Sequence, residues 1–191
     1  MENLKKIVIF NLVLIFCLTA FLKVKADSAN TALSLQITGG ELSVTAPEEA
    51  SFIGKSFSFD GQTSVDNPIG VVEVTDMRGS RAGWSIDITA EDWNDGLKVM
   101  DYNGDGTTTG QLSMDIPTLS AVSTIKGDSA SSLSMGVDDS FDSTTSTIKL
   151  ISAAIGDGSG QYTISGIKTD QFIPGNQPAG SYLTNLTLTI Q

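Results

Sequence analysis

The chain has 191 residues, with 22 Asp and Glu against 11 Lys and Arg, a single cysteine and no histidine. A net charge of −11 argues against nucleic acid as a partner, because that binding depends on Lys and Arg neutralising phosphates. With no histidine and its one cysteine at position 17, the chain lacks the usual nucleophile–base pairs and the Cys/His ligand sets of zinc sites.

Residues 1–26 read as a secretory signal peptide. Lys5 and Lys6 form the charged start, Ile7 to Leu22 the apolar stretch, and Val24-Lys25-Ala26 a small-residue cleavage site. The apolar stretch is short for a membrane span and is interrupted by Asn11. The bulky Phe16 before Cys17 argues against lipid attachment. The expected mature chain, residues 27–191, is one domain, secreted and free of the membrane after cleavage. It keeps seven basic and twenty-one acidic residues, a net charge of −14, so anionic polymers would be repelled at long range. Any contact with them must be local or bridged by divalent cations.

Leu33-Ser34-Leu35-Gln36-Ile37 alternates apolar and polar, Gly39-Gly40 punctuates, and Leu42-Ser43-Val44 resumes the alternation, which predicts a first pair of strands. Pro47, Glu48 and Glu49 make a loop. Phe57 and Phe59 share one face of a further strand, and Asn67-Pro68 reads as a turn.

Val72 to Ile88 alternates on both sides of a glycine-bracketed, locally basic segment and predicts a β-hairpin, with Asp76, Arg78 and Arg81 at its tip between strands. Trp84 shares the parity of Ile86 and Ile88, which points it inward. Two readings follow for it: a core tryptophan, or a platform for a sugar ring. Trp93 lies in the polar stretch Glu91 to Gly96 and is expected to be exposed. Asp101, Asn103 and Asp105, with Gly106 in sixth place, match the first half of a calcium loop, whose oxygens alternate around a hard cation. The twelfth position is Leu112 where a bidentate Glu belongs, and an ordinary Asp/Asn/Gly turn is the competing reading.

Thr109 to Ile116 alternates as a strand ending at Pro117. Residues 127–147 read either as a long surface loop or as a weak strand pair. Thr147 to Ala154 and Gln161 to Ile167 predict a hairpin across Gly156 to Gly160, which lacks the Lys and the following helix of a phosphate loop. Pro174 and Pro178 mark a loop before the last strand, where Tyr182, Leu186, Leu188 and Ile190 share one face. Many short alternating runs and few helical periods predict an all-β antiparallel sandwich, Ig-like or a related barrel.

Val74-Thr75-Asp76-Met77-Arg78-Gly79-Ser80-Arg81-Ala82-Gly83-Trp84-Ser85-Ile86 resembles the proximal motif of WxL domains, cell-wall-binding modules of Gram-positive surface proteins. Tyr182-Leu183-Thr184-Asn185-Leu186-Thr187-Leu188-Thr189-Ile190 is similar to their distal motif, with Leu188 where the family has a Trp and, in the proximal motif, Ile86 where it has a Leu. Gly40-Glu41-Leu42-Ser43-Val44 resembles the family's opening strands. The resemblance implies non-covalent attachment to peptidoglycan or an associated wall glycan. Arg78, Arg81, Trp84, Trp93 and Tyr182 are the candidate wall-binding residues, with Asp101, Asn103 and Asp105 the candidate calcium ligands. A second reading makes the chain a structural subunit of a surface complex or fibre, pairing its strand edges with other surface proteins. No pair of carboxylates is marked out for catalysis, so an enzyme is not expected.

Overall fold

The computed structural model describes residues 1–20, 32–106 and 110–191. It divides into two compact units, Met1–Ile37 and Thr38–Gln191. The first holds helix α1 (Glu2–Ala20), where the Asn11 amide donates to the Ile7 carbonyl at 3.1 Å, and a run from Ala32 to Ile37 without regular structure. Among the described residues no helix is long and apolar enough to cross a membrane. The expected cleavage site, Val24 to Ala26, lies outside the described residues.

The second unit carries every strand found among the described residues. It is an all-β sandwich of antiparallel sheets packed against each other. The larger sheet runs β1 (Leu42–Thr45), β2 (Gln62–Asp76), β11 (Gly160–Ile173), β6 (Gln111–Asp115) and β9 (Asp139–Ser140), with β7 (Val122–Gly127) on the other half of the β6 edge of β11. The smaller runs β12 (Leu186–Ile190), β3 (Trp84–Ala90), β10 (Ile148–Ala153) and β8 (Leu133–Met135). A separate pair, β4 (Trp93–Asn94) and β5 (Val99–Met100), turns on Asp95, whose Oδ1 accepts from the Leu97 and Lys98 amides at 3.0 and 2.7 Å. Period-2 side chains from facing strands fill one core, including Val72, Val74, Ile86, Ile88, Leu150, Tyr162 and Ile164.

Both expected long hairpins are corrected. β2 and β3 lie in different sheets, joined by an arch through Met77 to Gly83, and β10 and β11 are likewise in different sheets, joined through residues 154–159. Alternation assigns a side chain to a face but does not say which strand lies alongside. Here both apolar faces are buried against each other across the sandwich. The two arches meet: the Gly156 amide donates to the Arg81 carbonyl at 2.9 Å. Gly83, at φ +76°, sits where a Cβ would lie 2.8 Å from the Ala153 carbonyl oxygen, so only glycine fits.

Three smaller expectations also fail. Leu33 to Ile37 pairs with no strand among the described residues; the neighbour of β1 is β2, in register Leu42 with Asp76. Phe57 and Phe59 lie in a stretch from 46 to 61 with no regular element. Asn67-Pro68 does not end a strand, because β2 continues through it on a bulge, with Asp66 at φ +58° and the register slipping against β11. The strand before Pro117 is present as β6, Gln111–Asp115. Residues 127–147 are neither an open loop nor a strand pair, since β8 joins the smaller sheet, β9 the larger, and Phe141 is buried.

Candidate functional site

The proximal motif folds as the β2–β3 arch, and its charges are paired within the chain. The buried Asp76 carboxylate accepts from the Arg78 amide and Nε at 3.0 Å each through Oδ1 and from Nη2 at 2.9 Å through Oδ2. The same Nη2 donates to the Gly83 carbonyl at 2.8 Å and closes the arch. These Arg78 hydrogen bonds hold the Asp76 carboxyl below the usual carboxylate range. Arg81, at φ +50°, donates through Nη2 to Asp128 at 2.8 Å and through Nη1 to the Gly156 carbonyl at 3.2 Å. Both guanidinium groups are thus engaged within the chain, although the Arg81 side chain stays 55% exposed.

Trp84 is buried, as its parity predicts, and its indole N–H donates to the Gly158 carbonyl at 2.9 Å. Its ring lies tilted 6.2 Å from that of Tyr162, so it is no surface platform. Over it lies a shallow depression of about 530 Å³ bounded by Arg78, Ile155 and Gln191. Tyr182 is half-buried, with its hydroxyl donating to the Pro178 carbonyl at 2.7 Å and accepting from Gln177 Nε2 at 2.9 Å.

Trp93 corrects a further expectation. It is 7% exposed rather than solvent-facing. Phe52 covers it edge-on at 4.7 Å, and its indole N–H donates to Gln171 Oε1 at 2.8 Å. The signal for this was available: Asp95-Gly96 turns the chain so that Trp93 pairs with Met100, and both side chains face the core.

The larger concavity is a groove of about 790 Å³ between residues 46–58 on one side and residues 174–188 on the other. Phe52, Trp93, Tyr182, Leu186 and Leu188 supply its apolar lining. Asn67 anchors the first wall: its buried Oδ1 accepts from the Ile53 amide at 2.9 Å, while Nδ2 donates to the Ser64 and Thr169 carbonyls at 3.1 and 3.0 Å. At the rim, Phe57 and Phe59 meet edge-on at 5.2 Å, 52% and 78% exposed. Partly exposed Phe172 is close to this stretch, since a Cβ at Gly61 would lie 2.5 Å from its ring. Sequence reading missed Asn67 and this aromatic pair, because regular alternation made strand residues of the phenylalanines and Asn-Pro made a turn of the asparagine.

Asp101, Asn103 and Asp105 form a tight polar turn. The buried Asp101 carboxylate accepts from the Asn103 and Gly106 amides at 3.0 and 2.8 Å, and Asn103 Nδ2 donates to Asp105 at 3.0 Å. Burial, and then the charges of Asp101 and Asp105, push the nearby Asp92 carboxyl up. Among the described residues no group of three or more Asp, Glu, Cys or His side chains is arranged to hold a metal ion.

Comparison with protein-family models, with curated proteins and with solved structures returned no match.

Proposed function

We propose that the chain is a secreted binding module that attaches non-covalently to the bacterial cell wall, with neutral stretches of peptidoglycan or an associated glycan as its ligand. The observation that carries this reading is the exposed, edge-on pair Phe57 and Phe59 on a long irregular stretch. Stretches of this length without regular structure are uncommon in compact domains and are usually functional. Contiguous exposed apolar surface marks an interaction site, and aromatic rings present large, rigid contact area. The likeness of residues 74–86 and 182–190 to the WxL motifs supports the wall as the target. The candidate residues serve architecture in this reading: Arg78 and Trp84 of the proximal motif, and Trp93 outside it, hold the arch and the core, and contact passes to the rim phenylalanines. A net mature charge of −14 favours uncharged ligand stretches over phosphate-rich ones.

Sedimentation of residues 27–191 with purified Gram-positive cell walls tests this. The wild type is expected in the pellet. A Phe57→Ala, Phe59→Ala variant should bind at least tenfold more weakly with an unchanged circular dichroism spectrum, because both rings are exposed. A wild type that stays in the supernatant at all salt and calcium concentrations would refute wall attachment.

A further inference from the structure

We infer that the groove between residues 46–58 and residues 174–188 holds an uncharged, N-acetylated sugar of a glycan chain, whose acetamido N–H donates to the side-chain oxygen of Gln177. That the ligand is a glycan rests on the wall-binding proposal; the place and the recognised group come from the groove itself.

Gln177 is 9% exposed and lines the groove. Both hydrogens of its amide are used within the chain, since Nε2 donates to the Val99 carbonyl at 3.2 Å and to the Tyr182 hydroxyl at 2.9 Å. A carbonyl can only accept, which fixes the end of the amide that faces Val99. The other end, Oε1, has no donor among the described residues, 32–37 included. Among these residues no side-chain oxygen or nitrogen is both sealed from solvent and without a partner, so Oε1 opens into the groove. Polar atoms of nearly buried side chains are normally paired. A ligand donor at this one gains a hydrogen bond in a sheltered setting.

The rest of the lining selects the donor. Phe52, Ile69, Leu186 and Leu188 make much of it apolar. The two leucines are half-buried, whereas Ile86 and Ile88 on the neighbouring β3 are buried, so a methyl group against them is taken out of water. An acetamido group carries an N–H and a methyl side by side, while a plain hexose presents hydroxyls to every wall. Among the described residues the charged groups of the lining are Glu48 and Lys55, one of each sign, in a chain of net charge −11. A neutral ligand therefore matches it better than a phosphate-bearing polymer or a basic peptide. Phe57 belongs both to this lining and to the exposed rim pair, so the surface proposed for wall contact runs into the groove.

Methyl-labelled nuclear magnetic resonance of residues 27–191 with chitotriose, the trimer of N-acetylglucosamine, tests the inference. Cross-peaks from the acetamido methyls to Leu186 and Leu188 are expected. Cellotriose, with a hydroxyl at each acetamido position, should bind roughly tenfold or more weakly. Chitotriose should lose as much affinity for Gln177→Leu, with unchanged circular dichroism. Should that variant unfold on losing its contacts to Val99 and Tyr182, the wild-type cross-peaks and the cellotriose comparison decide. No binding of chitotriose, cross-peaks at other methyls only, equal affinity for cellotriose, or full binding by a folded Gln177→Leu would each overturn the inference. So would cross-peaks from Leu33, Leu35 or Ile37 to Leu186 and Leu188 in the free protein, which would put a segment of this chain in the groove. Wall sedimentation of the same protein keeps the two proposals apart. Pelleting without chitotriose in the groove refutes this inference alone, and chitotriose in the groove without pelleting refutes wall attachment alone.

Discussion

A buried carboxylate needs compensation, and Asp76 finds it in Arg78, two residues away, which also reaches the Gly83 carbonyl. Removing one partner of such a pair leaves a desolvated group behind. With Arg78 partly exposed, Asp76→Asn should cost about 2–3 kcal/mol at neutral pH, measured by urea unfolding. Because the folded-state pKa of Asp76 is lowered from 3.8, its contribution is complete above the unfolded value and is lost as pH falls through the lower folded value. The gap between wild type and Asp76→Asn should therefore narrow in urea series run below about pH 3.8, the ordinary Asp value. Trp84 makes a second prediction at this scale. Trp84→Phe keeps most of the ring but orphans the Gly158 carbonyl and should cost about 1–3 kcal/mol. Gly158→Ala should destabilise too, since Gly158 is at φ +77° and a Cβ there would lie 2.7 Å from Trp84 Nε1. Thermal unfolding checks both.

Arches and bulges carry the next level of organisation. The β2–β3 and β10–β11 arches exchange strands between sheets and brace each other through Arg81 and Gly156. At the bulge by Asp66 the Asn67 amide satisfies Ser64, Thr169 and Ile53 together. Asn67→Ala removes all these partners at a buried site and should cost about 2–4 kcal/mol. It should also raise amide hydrogen exchange across residues 46–58 before the rest of the sandwich loosens. Uniform protection of that stretch in the variant would show that the Ile53 hydrogen bond is not its anchor.

At the scale of the molecule, charge governs the surface. Twenty-one acidic against seven basic residues in 27–191 make that surface self-repelling, and salt screens the repulsion over about 10 Å at 0.1 M. The melting temperature should therefore rise with sodium chloride between about 0.01 and 0.3 M. A flat or falling curve would indicate that the ion pairs, such as Lys168 with Asp66 at 2.6 Å and Arg81 with Asp128 at 2.8 Å, outweigh the repulsion.

The period-2 pattern by itself determined the all-β class, the inward orientation of Trp84, Ile86 and Ile88, and the common face of Tyr182, Leu186, Leu188 and Ile190. Those features depend only on side-chain direction along one strand, which the backbone dictates locally. Tertiary structure decided which strands are neighbours, and with it the arches that replaced two hairpins. It buried Trp93 by bringing Phe52 and Gln171 to it from distant segments. It also committed Arg81 to Asp128, 47 positions away, and left Leu33, Leu35 and Ile37 exposed. Long-range pairing depends on how apolar faces stack and where loops can close, and neither is encoded in any single stretch.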